Sequence, residues 1–183
     1  MKRRFCFTLV ELLVVTALVA LLGAIGFAGY GYAMGAARRS ATESLIKQME
    51  AALENFRVKK GYYPSSSSYA AITIDLSGTA PAVSLGGTAL GTDASKVFIK
   101  PLDQEKLKKN ISGNNLVDSW GGTIRYRYPG AVNTTGFDLI APGPDGQFGV
   151  SPAADPAASP TATTYKDSNG DWACDDIANF TNK

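Results

Sequence analysis

The sequence predicts an α+β protein in which one long N-terminal α-helix packs on a small antiparallel β-sheet head. Three observations favour this class: an apolar run over 7–37, a helical pattern of apolar residues that continues to Lys60, and two strand-like runs beyond residue 120. The chain has 183 residues, which leaves enough of it outside the apolar run for one compact domain.

The first 37 residues combine a short basic segment with the long apolar run. Residues 7–37 contain one carboxylate, Glu11, and no basic side chain. Because about 20 apolar residues in a helix cross a bilayer, the run predicts a membrane-spanning helix. A secretory signal peptide and an ordinary membrane anchor are the alternatives, and both must account for Glu11. An acidic side chain in an apolar span costs about 2.5 kcal/mol or more unless it has a partner, which marks Glu11 as a functional candidate.

The residues 2–15, KRRFC-FTLVELLVV, resemble the class III signal of type IV prepilins and type II secretion pseudopilins. The resemblance implies that a prepilin peptidase removes the leader 1–6 by cleaving between Cys6 and Phe7, and that Phe7 is then N-methylated. It also implies that Glu11 pairs with the new N-terminus of a neighbouring copy during assembly. The family usually has glycine at the position of Cys6.

The helix is expected to continue beyond the membrane as an amphipathic segment over 38–60. Apolar residues recur there at the spacing of one helical face, and they are Leu45, Met49, Ala52, Leu53 and Phe56. Lys59 and Lys60 suit the negative C-terminal end of a helix, and Gly61 followed by Pro64 is a stop signal. We expect this apolar face to form the core of the head.

The segment 61–183 is expected to form an extracytoplasmic globular head with a C-terminal loop. Its pattern predicts a loop over 62–91 with one short element near 72–76, a short strand over 97–99, a short helix or turn over 101–109, strands over 123–128 and 137–141, and an exposed insertion over 150–164.

Composition argues against an enzyme and against a nucleic-acid-binding protein. The chain contains no histidine, which removes the commonest general base and the usual partner of a serine or cysteine nucleophile. The formal net charge is +2, and three of the 18 basic residues lie in the segment 1–6. The rest of the chain is close to neutral, so we expect no basic surface for nucleic acid.

Four segments of the head resemble, in order, those of the major pseudopilin of type II secretion systems, general secretion pathway protein G. They are GYYP at 61–64, DSWGGTIRYRYPG at 118–130, FDLIAPGPDGQFG at 137–149 and DDIANF at 175–180. The resemblance implies a pilin-like fold and a non-catalytic subunit of a piston-like filament for protein export. It places the chain in the inner membrane as a single-pass protein, with its head in the periplasm or outside, before it joins the filament.

The partners that the resemblance implies are copies of the chain, other pseudopilins, the inner-membrane assembly platform and the prepilin peptidase. Two other functions stay open from the sequence. The chain is also compatible with a subunit of a type IV pilus for adhesion, motility or DNA uptake, and with a secreted or membrane-anchored binding module.

Acidic residues near the end of the chain form a candidate calcium site. Asp145 lies in a Gly-Pro-Asp-Gly turn, and Asp175 and Asp176 lie in the last polar loop. Calcium takes six to eight oxygen ligands, which carboxylates and backbone carbonyls supply. From the residues alone, turn caps or solvated loop residues are the favoured interpretation of these aspartates. The resemblance implies a calcium ion held by Asp145, Asp175, Asp176 and a backbone oxygen at Pro142.

Overall fold

The computed structural model describes residues 8–149 and 174–180. The cleavage pair Cys6 and Phe7 and the predicted insertion over 150–164 lie outside these ranges. The chain divides into two compact units, Met1–Arg38 and Arg39–Lys183, which are described separately below.

Helix α1 extends from Leu9 to Lys60. It ends where the sequence predicts, because Gly61 follows and donates its N–H to the Arg57 carbonyl at 2.7 Å. In the part of the chain that the structure describes, no helix combines the length and the hydropathy of a membrane span. The membrane-spanning helix over 7–37 stays a prediction.

The head segment of α1 buries the face that the sequence predicts. Met49, Leu53 and Phe56 have no exposed surface, and Leu45 is 5% exposed. They belong to one core cluster with side chains from both sheets and from the two short helices. This burial confirms that the apolar stripe forms the core of the head.

The head contains two antiparallel sheets and two short helices among its described residues. The helices are α2 (Thr92–Ile99) and α3 (Gln104–Lys108). The strands are β1 (Ser66–Ala71), β2 (Thr73–Asp75), β3 (Ala82–Leu85), β4 (Thr88–Ala89), β5 (Ile111–Ser112), β6 (Asn115–Leu116), β7 (Arg125–Tyr128), β8 (Asp138–Ala141) and β9 (Ile177–Ala178). One sheet has the order β1-β7-β8-β9 and the other the order β4-β3-β2-β6-β5. The predicted α+β class is confirmed.

Two local predictions differ from the structure, and a third is confirmed with shifted bounds. The segment 62–91, expected to be mainly loop, contains β1 to β4, because its few apolar residues, among them Ile74 and Val83, are buried through cross-strand pairing. The expected strand over 97–99 is the end of helix α2, whose Phe98 and Ile99 enter the core. The predicted strands over 123–128 and 137–141 are confirmed with slightly later starts, at Arg125 and Asp138.

The connection between β7 and β8 folds around a buried carboxylate. Asp138 has no exposed surface and accepts hydrogen bonds from the N–H groups of Ala131, Val132 and Asn133 at 2.7, 2.9 and 2.9 Å. The Tyr69 hydroxyl of β1 donates a fourth bond at 2.6 Å. Because buried N–H groups need acceptors, Asp138 fixes this loop against the first sheet.

Candidate functional site

The N-terminal candidate site is a helix cap built from Thr8 and Glu11. The Thr8 N–H and hydroxyl donate to Glu11 Oε2 at 2.9 and 2.8 Å, and the Glu11 N–H donates to Thr8 Oγ1 at 3.3 Å. This reciprocal pattern is a capping box, which satisfies N–H groups at the start of α1. The spacing Thr-x-x-Glu in the sequence is a known signal for this motif, although it is absent from the predictions above.

The helix that follows this cap exposes apolar side chains on all of its faces. Leu9 and Leu22 are 79% and 68% exposed, and Val14 is 50% exposed. The other large exposed residues in this stretch are Val10, Leu12, Leu13, Val15, Leu18, Val19 and Leu21. An apolar surface of this extent on a protein marks an interaction site, so the first part of α1 is a candidate assembly surface.

The C-terminal candidate site forms where two loops leave neighbouring strands. Ala141 of β8 pairs with Ile177 of β9, which brings the residues after β8 beside those before β9. Pro142 follows β8 and precedes the 3-10 turn Gly143–Asp145. The N–H of Asp145 then donates to Asp175 Oδ2 at 3.2 Å. The structure therefore joins the predicted acidic residues of the two loops.

Asp176 is the buried member of this acidic group. Its Oδ2 accepts from the Gly149 N–H at 2.7 Å, whereas its Oδ1 is buried without a hydrogen-bond partner. Burial is the main cause that raises the pKa of Asp176 to about 7, and the nearby charges of Asp175 and Asp145 raise it further. A carboxylate in these surroundings is stabilised either by a proton or by a cation.

The donor atoms fit a hard cation such as calcium. The predicted ligands offer only oxygen, and the unpartnered Oδ1 of Asp176 is an oxygen that a cation would satisfy. Burial raises the pKa of the neighbouring Cys174 thiol to about 12, so this sulfur is neutral and is a poor metal ligand. Within residues 8–149 and 174–180, however, no three His, Cys, Asp or Glu side chains form a ready-made metal-binding group. Backbone oxygens would have to complete the coordination.

The contact between the two acidic loops requires glycine at position 143. Gly143 has a φ of +73°, a left-handed conformation that L side chains rarely adopt. A Cβ atom at this position would lie 2.6 Å from the carbonyl oxygen of Asp175. Gly143 therefore allows the 3-10 turn to approach the loop before β9.

A long N-terminal helix with an exposed apolar first part, followed by an antiparallel head, defines a pilin-like protein. The family described as type II secretion system (T2SS), protein G, matches residues 31–156. This range is well over half of the chain, and the chain belongs to this pseudopilin family. Its role is that of a structural subunit of a membrane-associated secretion filament, in assembly with other pseudopilins.

No curated protein and no solved structure matches the chain significantly. The family match ends before the acidic loop at 175–176 and begins after Glu11. The roles predicted for Glu11, Asp175 and Asp176 therefore depend on the geometry above and on the motifs in the sequence.

We expect Gly143→Ala to destabilise the head more than Gly146→Ala, by about 1–3 kcal/mol, which is the usual cost of overpacking. Both glycines have a φ above +70°, so both variants carry similar backbone strain. Only at position 143 does the added Cβ also meet the Asp175 carbonyl, because nothing lies within 4 Å of a Cβ at Gly146. Chemical denaturation of the full chain in detergent measures the difference. Equal losses would contradict the close contact between the loops.

Proposed function

We propose that the chain is a structural subunit of a type II secretion pseudopilus, matured by a prepilin peptidase and assembled through α1 into a piston-like filament for protein export. The observation that carries the proposal is the exposed apolar surface of α1 between Leu9 and Leu22. Copies of the same helix, packed side by side in a filament core, would remove this surface from water. The head would lie on the extracytoplasmic side and contact other pseudopilins.

Maturation would remove the leader 1–6 and leave Phe7 as the first residue, followed at once by the Thr8–Glu11 cap. The basic leader has three positive charges in a row, which disfavour burial among apolar helices. Its removal leaves one α-amino group in their place. The assembly platform of the inner membrane would then receive a chain whose N-terminus carries a single charge opposite in sign to Glu11.

We expect the mature protein from cells with an active prepilin peptidase to begin at Phe7, with a methyl group on its amine. N-terminal sequencing and mass spectrometry of the purified chain test this expectation. Cells without the peptidase provide the control, and their protein should keep Met1–Cys6. A mature start beyond Ala37 would contradict the filament function and would favour a secreted binding module.

Glu11 would serve assembly by pairing with the α-amino group of Phe7 on a neighbouring copy. Opposite charges at 4 Å attract by about 4 kcal/mol at an effective dielectric constant of 20, and more strongly in a drier filament core. The same pairing would offset the cost of taking the Glu11 carboxylate into apolar surroundings. An ion pair of this kind fixes the axial position of one helix against the next.

We expect Glu11→Gln and Glu11→Ala to abolish fibres, because both remove the negative charge. Glu11→Gln tests the charge more selectively, since its amide oxygen still accepts the hydrogen bonds of Thr8. Thr16→Ala is the control: it removes a polar group from the apolar run of the same helix, a hydroxyl that donates to the Leu13 carbonyl at 3.0 Å, without changing the charge. Electron microscopy and immunoblots of sheared fibres measure assembly. Normal fibre formation by Glu11→Gln would exclude the charge pairing.

The proposed function includes a calcium ion that fastens the C-terminal loops of the head. Asp145, Asp175 and Asp176 would hold it, together with a backbone oxygen near Pro142. Two observations support it: the contact between the Asp145 N–H and Asp175, and the unpartnered oxygen of Asp176. When bound, the cation would supply a positive charge beside the buried carboxylate of Asp176 and the more exposed carboxylates of Asp145 and Asp175.

We expect millimolar calcium to raise the thermal midpoint of the full chain in detergent, because a ligand that binds only the folded state stabilises it. At 100 times the dissociation constant the gain is about 2.7 kcal/mol. Asp145→Ala should lose this shift, whereas Asp93→Ala, which removes an exposed aspartate from the first turn of α2, should keep it. The absence of a shift in the wild-type protein would rule out the calcium site.

A further inference from the structure

Asp118 is a buried carboxylate that the predicted functional sites do not use. It is 3% exposed and lies in the turn between β6 and β7. Its Oδ1 accepts from the N–H groups of Trp120 and Gly122 at 2.9 and 2.8 Å. The backbone closes the same turn, since the Asp118 N–H donates to the Gly122 carbonyl at 2.8 Å. One carboxylate oxygen therefore holds the turn 118–122 in a fixed shape.

The second carboxylate oxygen of Asp118 reaches the turn that carries the calcium ligands. Asp118 Oδ2 accepts from the Gly143 N–H at 3.1 Å, at the first residue of the 3-10 turn Gly143–Asp145. The two turns also touch directly, because a Cβ at Gly122 would collide with the ring of Pro142. Asp118 is thus hydrogen-bonded to the backbone of the turn that contains Pro142 and Asp145.

The turn of Asp118 is itself anchored to α1. The Ser119 N–H donates to the hydroxyl of Thr42 at 3.2 Å, and that hydroxyl donates to the Ser119 hydroxyl at 3.1 Å. Thr42 has no exposed surface. A chain of hydrogen bonds therefore runs from α1 through Ser119 and Asp118 to Gly143.

We propose that Asp118 is a positioning residue of the calcium site. Its carboxylate holds the turn 142–145 in the conformation that presents the calcium ligands before the ion binds. The proposal rests on the calcium ion of the proposed function. Asp118 is not itself a ligand, because its carboxylate is turned toward three backbone N–H groups. Its contribution is preorganisation: without it, calcium binding would have to order the turn, and the affinity would fall.

Asp118→Asn tests the contact to Gly143 selectively. The amide oxygen of asparagine still accepts from Trp120 and Gly122, but its NH₂ group faces the Gly143 N–H and cannot accept a hydrogen bond. We expect the dissociation constant for calcium to rise about tenfold, as the loss of one buried hydrogen bond implies. Isothermal titration of calcium into the full chain in detergent, after treatment with a chelator, measures it.

Asp138→Asn is the matched control for general destabilisation. It alters another buried carboxylate of the same head that accepts backbone N–H groups, away from the 3-10 turn. We expect both variants to lower the thermal midpoint without calcium and only Asp118→Asn to weaken calcium binding. Equal calcium affinities in the two variants and the wild type would overturn the positioning role while leaving the calcium site intact. A wild-type chain that binds no calcium would refute both.

Thr42→Val provides a second test that does not alter Asp118. It removes the hydroxyl that holds Ser119 and replaces it with a methyl group of similar size. We expect a smaller rise in the dissociation constant, about threefold, because the turn 118–122 keeps its own hydrogen bonds. If both Thr42→Val and a folded Asp118→Asn bind calcium with the affinity of the wild type, the hydrogen bonds from α1 do not influence the calcium site.

Discussion

The head of this protein depends on the burial of one face of α1. Met49, Leu53 and Phe56 are fully buried, and each such side chain contributes about 1.5–3 kcal/mol when removed from water. The cluster around them takes Ile74 from one sheet and Leu139 from the other. Neither sheet has a separate core of comparable size, so both are organised by the same helical face. The helix that would serve assembly in the proposed filament is therefore also the main structural element of the head.

Buried carboxylates organise the loops that the core does not reach. Asp118 accepts hydrogen bonds from three backbone N–H groups. Asp138 accepts hydrogen bonds from three backbone N–H groups and from a tyrosine hydroxyl. Asp176 accepts the Gly149 N–H and retains one buried oxygen without a partner. In the part of the chain that the structure describes, none of the three forms an ion pair. Two of these carboxylates are satisfied by the protein itself, whereas Asp176 keeps one buried oxygen that a proton or a cation would satisfy.

The sequence predicts those parts of the fold that have a strong local period. The buried face of α1 and the strands β7 and β8 follow from apolar spacing and alternation. The second sheet does not, since a strand such as β2 has three residues and is stabilised by neighbours distant in sequence. The candidate site residues also fall into those that the sequence predicts and those that it does not. Asp145 and Glu11 stand out by their motif and surroundings, whereas the role of Asp118 depends on a hydrogen bond to Gly143, 25 residues away, which no local pattern reveals.

The capping box at Thr8 bears on how an acid enters an apolar filament core. Both hydrogen bonds from Thr8 reach Glu11 Oε2, so Oε1 can accept from an amine of a neighbouring copy. The carboxylate is then partly satisfied within its own chain before any neighbour arrives, which reduces the free energy that the neighbour must supply. The cap also fixes the orientation of the side chain, so less conformational entropy is lost when the pair forms. A threonine three residues before the glutamate would thus prepare Glu11 for the proposed pairing while it occupies only one of the two carboxylate oxygens.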